Sequence, residues 1–278
     1  LLEAGGRDPH PLVRATAAAY VSAPAPNADT SRFDQLPTVE RMQLLRLVPL
    51  FAALEPDDLE EVAGLAIEDT IAPPAVLCVE GATDAGDLFG YSVGLSADGN
   101  VMAVSAYDED GSTRQVNGIP DNLRGGSGAV YVFRRRASDW SQEAYLKAAN
   151  AENNDSLGFS VSISQDGNTV AGGAADEDCL KPGINIEGCD ADTRDDQSAG
   201  AVYVWARDNG VWRQQAFIKA SNPGQNDNFG ARLMLSGDGN ALAVGAQLED
   251  GSAKGINGKD DDAAEEAGAV YFFTRTDG

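Results

Sequence analysis

Short runs of alternating apolar and polar residues fill the chain from about residue 89 onward, and the same order of runs occurs three times. In each round, one such run leads to an Asp-Gly pair at 98–99, 166–167 or 238–239, and a second run follows it. Because successive side chains of a strand point to opposite faces of a sheet, each pair of runs predicts two strands joined by a hairpin. The Asp-Gly pairs predict two-residue turns with positive φ at both residues.

Each round predicts four antiparallel strands, A to D. A polar loop of about 20–26 residues follows strand B, and strand C begins at Gly128, Gly200 or Gly268 with a run rich in β-branched and aromatic residues. A turn bearing Trp140 or Trp212 leads to strand D, which the third round lacks. The predicted strands are A at 91–96, 159–164 and 231–236, B at 100–105, 168–173 and 240–245, and D at 142–148 and 213–220.

The spacing of the Asp-Gly-Asn triplets sets a repeat period of about 70 residues. Units of this length that are built from short strands are typical of propeller blades. The prediction is a mainly β fold, a partial, open β-propeller of about three four-stranded blades at 82–150, 151–222 and 223–278. Three units are too few to close a ring, so the rest of a longer parent chain is a predicted partner.

The residues before the repeats predict a short α-helical N-terminal region. Residues 1–21 predict one helix with a narrow apolar face, 22–36 a linker rich in proline and polar residues, and 37–81 two helices that lead into a strand at 75–79. The chain starts at Leu1 without a methionine or a signal peptide, which we expect of a fragment.

The charge of the chain restricts its partners. Forty-four acidic and twenty basic residues give a net charge of −24, which repels nucleic acid and anionic membranes. No apolar run approaches the roughly 18 residues of a membrane span. Enzymatic chemistry also lacks its usual residues, because the only histidine is His10, and neither a phosphate-binding loop nor zinc-ligand spacing occurs. We therefore predict a protein that is not an enzyme.

Three cysteines bear on the compartment. Cys179 and Cys189 lie ten residues apart in the same predicted loop, which favours a local disulfide and an oxidising compartment, the alternative being two free loop thiols. Cys78 lies in an apolar run and is predicted to be a small buried residue.

The loops between strands B and C are strongly acidic, and successive blades would present them on one rim. One hypothesis is a divalent-cation site, with calcium as the cofactor. The alternative is a solvated loop that protects the sheet edge, which is the usual role of a charge run. The candidate metal ligands are Asp108, Asp110, Asp176, Asp178 and Asp250.

The Phe-Gly pairs at 89–90 and 229–230, together with the Val-Ser-Ala, Gly-Gly-Ala and Val-Gly-Ala ends of strand B, resemble the FG-GAP repeat of integrin-type β-propellers. The Gly-Ala-Val-Tyr strand is similar to a bacterial tandem-repeat branch of that family, whose members look like secreted or surface proteins. Integrin-type repeats carry an Asp-x-Asp-x-Asp-Gly calcium loop between strands A and B, and here only Asp-Gly-Asn remains. The family's calcium role is therefore not carried over to this turn.

Two further resemblances concern the N-terminal region. Residues 7–17 resemble the junction of a HEAT repeat, and residues 45–81 resemble the start of a cyclic-nucleotide-binding domain. The phosphate-binding cassette of that domain is missing after Gly81, so neither cyclic AMP nor cyclic GMP is expected to bind.

The repeats imply a non-enzymatic, secreted or cell-surface binding or adhesion scaffold, with a protein or glycan ligand on the loop rim. The alternative is a cytoplasmic regulatory protein that joins a degenerate cyclic-nucleotide-sensing module to a propeller scaffold. A count of free thiols separates the two, because a disulfide leaves one free thiol of three.

Overall fold

The computed structural model describes residues 86–137, 139–189, 197–258 and 263–275. All of them belong to the second of two compact units into which the chain divides, Leu77–Gly278. Every regular element among these residues is a β-strand, as predicted for a mainly β fold. The predictions for residues 1–21, 22–36 and 37–81, including the strand at 75–79, lie outside the described residues.

Three antiparallel sheets follow one another along the chain, and we call them blades 1, 2 and 3. Blade 1 contains β1 (Val93–Leu95), β2 (Val101–Ala106), β3 (Ala129–Arg136) and β4 (Asp139–Leu146); blade 2 contains β5 (Leu157–Ile163), β6 (Thr169–Ala174), β7 (Ala201–Asp208) and β8 (Val211–Ile218); blade 3 contains β9 (Phe229–Leu235), β10 (Ala241–Ala246) and β11 (Ala269–Thr274). In each blade, strands adjacent in sequence are adjacent and antiparallel in the sheet, which agrees with the predicted antiparallel strands.

Two of the sequence predictions need correction in detail. The tryptophans predicted in the turn before strand D, Trp140 and Trp212, lie inside β4 and β8. Trp212 is almost fully buried in the core, and burial of its large apolar ring explains why the strand extends over it.

The second correction concerns the turn between the first two strands. Only the glycine of each Asp-Gly pair has a positive φ, for example +64° at Gly99, so the prediction of a two-residue turn is wrong. The Gly99 amide instead donates to the Ser96 carbonyl, which closes a four-residue turn. The Asp98 carboxylate accepts from the Ser96 hydroxyl and the Asn100 amide, and these bonds stabilise that turn. The equivalent turns are Ser164–Gly167 and Ser236–Gly239, in which Asp166 and Asp238 make the same bonds.

The apolar core lies between the blades. One cluster joins Val130 and Val132 of blade 1 to Leu157 and Trp205 of blade 2, and a similar cluster joins blades 2 and 3. Among the described residues, blade 2 therefore buries alternate side chains of one face against blade 1 and of the other face against blade 3, as expected for stacked sheets.

Glycine allows the backbones of neighbouring blades to meet. Gly128 forms an isolated parallel bridge with Leu157, and Gly200 forms one with Phe229. A Cβ atom at Gly200 would lie 2.1 Å from the carbonyl oxygen of Phe229, so no larger residue fits there.

Candidate functional site

The long loops between the second and third strands of each blade, residues 107–128, 175–200 and 247–268, are called the rim loops here. A glutamate stands directly before an aspartate in the acidic stretch of each rim loop, and Glu109, Glu177 and Glu249 are all buried. The sequence pattern indicated solvated carboxylates along these stretches, so their burial was missed. A buried carboxylate requires a hydrogen-bonding or charged partner.

In blade 1, that partner is a buried lysine from the end of the fourth strand. The Lys147 ammonium lies 2.8 Å from a Glu109 carboxylate oxygen, and it also donates to the Ser127 hydroxyl at 2.7 Å and the Gly128 carbonyl at 2.6 Å. The Tyr145 hydroxyl donates to the other Glu109 oxygen at 2.6 Å. Lys147 and Tyr145 therefore tie both ends of the first rim loop to the end of the fourth strand.

Blade 2 repeats the arrangement and adds a link between blades. Lys219 pairs with Glu177, whose carboxylate also accepts from the Cys179 amide at 3.2 Å. The Asn150 amide group donates to the same carboxylate at 3.5 Å and accepts from the Tyr203 hydroxyl at 2.8 Å. Because Asn150 follows the last strand of blade 1, these bonds fix blade 2 against blade 1.

Burial dominates the protonation of these groups. It lowers the pKa of Lys147 and of Lys219, and the partner glutamates oppose that change only in part. Burial also raises the pKa of Glu177, against the effect of Lys219. Since both lysine side chains are fully shielded from solvent, the pairs cannot meet a substrate, and their role is structural.

The aspartate after each glutamate closes its loop. One carboxylate oxygen of Asp110 accepts from the Gly126 amide at 2.8 Å, and the equivalent oxygen of Asp178 accepts from the amides of Gln197 and Ser198 at 2.9 Å. Asp250 accepts from the Glu266 amide at 2.8 Å. The aspartate after the glutamate thus holds the two ends of its loop together, a role that its place in a charge run did not reveal; we call it a loop staple.

The predicted metal ligands are distributed over the three rim loops. Asp108 is exposed and Asp176 is half-buried, whereas Asp110, Asp178 and Asp250 accept the amide hydrogen bonds of their own loops. Over the described ranges, no group of three or more acidic, histidine or cysteine side chains is placed to hold one ion. Calcium binding by these five residues stays a prediction.

The predicted disulfide is present in the second rim loop. The sulfur atoms of Cys179 and Cys189 lie 2.06 Å apart, and both residues are buried in the core between blades 1 and 2. This confirms the prediction of a local bridge. The second rim loop is therefore restrained twice, by the disulfide and by the ion pair of Glu177 with Lys219.

An aromatic cluster, which the sequence analysis missed, lies beside the rim loops where the first strands begin. The rings of Tyr91 and Tyr107 are 4.5 Å apart, and each lies less than 6 Å from the ring of Phe159. The Arg232 guanidinium lies 5.9 Å above Phe159, within cation–π range. We call these four residues the rim cluster. The signal that could have found it is the aromatic residue that follows the glycine in Gly90-Tyr91 and Gly158-Phe159.

The rim cluster borders an open hollow of about 340 Å³ between the first strands of the three blades. Tyr91 is half exposed, although it is a large aromatic residue with a hydroxyl group. An exposed ring with a polar tip and a nearby cation are suited to binding.

One family model agrees with this architecture. The FG-GAP repeat family model matches residues 140–185 and 212–273. These two segments match a non-enzymatic, propeller-type scaffold repeat. No curated protein matches the chain. Among solved structures, a 6-phosphogluconolactonase candidate from Bacteroides uniformis is similar at 15% identity and a TM-score of 0.33, over 66% of this chain and 40% of that structure. The chain thus spans less than half of that protein.

The matched segments start at equivalent places in the blades. The first begins at Trp140 of β4 and the second at Trp212 of β8, so each contains the last strand of one blade and the first strands of the next.

No helix in the described part of the chain is long and apolar enough to cross a membrane.

Proposed function

We propose that the protein is a non-enzymatic binding scaffold, secreted or held at the cell surface, whose protein or glycan ligand contacts the rim loops and the rim cluster. The observation that carries this proposal is the preorganisation of the rim. Over the described parts of the rim loops, buried ion pairs in blades 1 and 2, an aspartate staple in each loop and the disulfide of the second loop restrain the backbone, so less conformational entropy is lost when a ligand binds.

The disulfide supports the extracellular location, because such bridges persist in oxidising compartments and are rare in the cytosol. A free-thiol count on unreduced protein, isolated from the cells that produce it, tests the location. One free thiol of three is expected, and three would favour the cytoplasmic regulatory alternative.

The binding surface is tested by substitutions in the rim cluster. Tyr107→Ser and Phe159→Ser should each weaken ligand binding at least tenfold, since aromatic anchors dominate binding energy. Binding is measured as retention of the protein in affinity gels that contain one of a panel of polysaccharides, or on immobilised gelatin. Val211→Ser is the control, because Val211 is an exposed apolar residue that begins β8, at the opposite end of its sheet from the rim loops. Equal retention of all variants would place the ligand elsewhere.

A further inference from the structure

Within the described part of the chain, the outer strand of blade 3 has a neighbour on one side only. β11 pairs with β10, whereas the equivalent strands β3 and β7 each lie between two neighbours among the described strands. Accordingly, Tyr271 and Phe273 of β11 are half-buried, while their counterparts Tyr203 and Trp205 in β7 are fully buried. An open edge with apolar side chains is a template for an added strand.

Next to this edge lies an apolar groove of about 200 Å³ between blades 2 and 3. Its walls include Ala216 and Ile218 of β8 and Phe273 of β11. The same place between blades 1 and 2 is enclosed by Ala144, Leu146 and Trp205, and there the ring of Trp212 from β8 belongs to the buried core. The groove therefore corresponds to the position of a tryptophan from a fourth strand.

A buried carboxylate near the open edge also indicates the place of a fourth strand. Glu249 is 5% exposed, like the glutamates that pair with Lys147 and Lys219 in the other blades. Within the described residues, its carboxylate accepts only from the Asn222 side-chain amide at 2.9 Å and the Gly251 amide at 3.0 Å, and no lysine or arginine lies within ion-pair distance. A buried carboxylate without a cation favours a partner that brings one.

The two complete blades define the chemistry of this partner. In both, the fourth strand has tryptophan seven residues before lysine, with the pattern Trp-x-Gln-x-Ala, then an aromatic, an aliphatic and Lys, at 140–147 and 212–219. The register in both blades places the alanine opposite Val132 or Val204 and the lysine just past the last strand pair. A strand in this register on β11 would bring its tryptophan to the groove and its lysine to Glu249.

We propose that the open edge of β11 binds an extended peptide segment with this pattern, supplied by polypeptide outside residues 1–278. Main-chain hydrogen bonds to β11 would provide the pairing, and the tryptophan and the lysine would provide the selectivity. This inference does not rest on the proposed rim ligand, because Glu249 is a buried residue of the third rim loop and the test of the rim ligand changes only Tyr107 and Phe159.

The test uses the full chain and a fluorescein-labelled peptide with the sequence of residues 211–222. Fluorescence anisotropy should show saturable binding with one peptide per protein. A peptide with Trp212→Ala and another with Lys219→Met should each bind at least tenfold more weakly. Amide hydrogen exchange of residues 269–274 should slow when the unchanged peptide is present.

Variants of the protein test whether the lysine of the bound peptide contacts Glu249. Glu249→Gln should remove the difference in affinity between the Lys219→Met peptide and the unchanged one, whereas Glu265→Gln, an exposed change in the same rim loop, should keep it. If Glu249→Gln does not fold, the peptide variants still decide the question. The proposal is overturned if no saturable binding occurs at millimolar peptide, or if both changed peptides bind as tightly as the unchanged one. It is also overturned if sedimentation velocity shows a dimer and hydrogen exchange of residues 269–274 is already slow in that dimer without peptide.

Discussion

At the scale of the residue, the main feature is the buried glutamate–lysine pair that each complete blade contains. Glu177 and Lys219 come from a rim loop and a fourth strand, 42 residues apart in sequence, and their charges compensate each other in the core. Removal of one partner leaves the other charged and buried, which costs far more than the pair contributes.

The first prediction is that Lys219→Met lowers the free energy of unfolding by about 3–5 kcal/mol, the usual cost of one orphaned buried charge. Urea denaturation measures this change. Lys254→Met, at an exposed lysine, is the matched control and should change stability by less than about 0.5 kcal/mol. The double change Lys219→Met with Glu177→Leu should recover much of the loss. A single variant as stable as the control would contradict the structural role.

A second residue-scale prediction concerns Asp155, a buried aspartate near Glu177. Burial, followed by the charge of Glu177, raises the pKa of Asp155 to about 8, from 3.8 in the unfolded chain. The folded state therefore binds a proton more tightly than the unfolded state over this interval. The stabilisation that protonated Asp155 contributes is complete below about pH 4 and is lost as the pH rises through about 8. The free energy of unfolding declines over this range by up to roughly 1.4 kcal/mol per pH unit.

Urea denaturation at several pH values between about 5 and 8 tests this prediction. Asp155→Asn should flatten the decline in stability, because it removes the titrating group, and Asp208→Asn, at an exposed position, should leave the decline unchanged. A profile that is identical in wild type and Asp155→Asn would show that another group causes it.

The sequence identified much at this scale, and its failures have a common cause. The two cysteines could be paired because ten residues in one loop bring them close. Glu109 and Lys147 could not be paired, because alternation within short segments carries no information on contacts 38 residues apart. Tyr91, Tyr107 and Phe159 were missed for the same reason, since they meet only when blades stack.

At the scale of the element, the strands followed from local pattern and the loops did not. The predicted second strands are displaced by only one residue from β2, β6 and β10, because apolar alternation fixes both ends of a strand. The turn type was wrong because the Ser96 and Asp98 side chains bond to the backbone and favour a longer turn than the Asp-Gly pair alone suggests.

The rim loops provide a prediction about calcium. We expect millimolar calcium to leave the melting temperature unchanged, because Asp110, Asp178 and Asp250 already accept amide hydrogen bonds and calcium requires six or more oxygen ligands. A rise that grows with calcium concentration and disappears in the Asp176→Asn, Asp178→Asn double variant would instead establish the metal site.

The disulfide provides another prediction for the second rim loop. Changing both Cys179 and Cys189 to serine should lower the free energy of unfolding by about 2–3 kcal/mol, since the bridge restrains a short loop in the unfolded chain. Chemical denaturation under non-reducing conditions measures the loss. Reduction of the wild type should produce a similar loss and should leave the double variant unaffected.

At the scale of the whole molecule, stability depends on the joints between blades. The backbone of Gly200 meets that of Phe229 in blade 3, whereas Gly268, at the same place in blade 3, has no following blade among the described residues. Both glycines have a positive φ, +80° at Gly200 and +74° at Gly268, so they differ mainly in the presence of that neighbour.

This pair of glycines predicts unequal effects of the same substitution. Gly268→Ala should lower the free energy of unfolding by roughly 1–2 kcal/mol, the cost of a positive φ for alanine. Gly200→Ala should lower it by clearly more, because its Cβ would lie 2.1 Å from the Phe229 carbonyl oxygen, compared with a nearest contact of 3.1 Å at Gly268. Thermal or urea denaturation compares them, and equal losses would contradict a close backbone joint at Gly200.

The position of Asn150 has a consequence for how such a protein can lengthen. Asn150 follows the last strand of one blade and bonds to Glu177 and Tyr203 of the next, and Asn222 contacts Glu249 and Tyr271 in the same way. A tandem duplication of any 70-residue window would therefore copy both halves of a joint, wherever the breakpoints fall. Unequal recombination between repeats could add or remove blades without creating a new interface, so blade number can change in evolution while every contact surface stays the same.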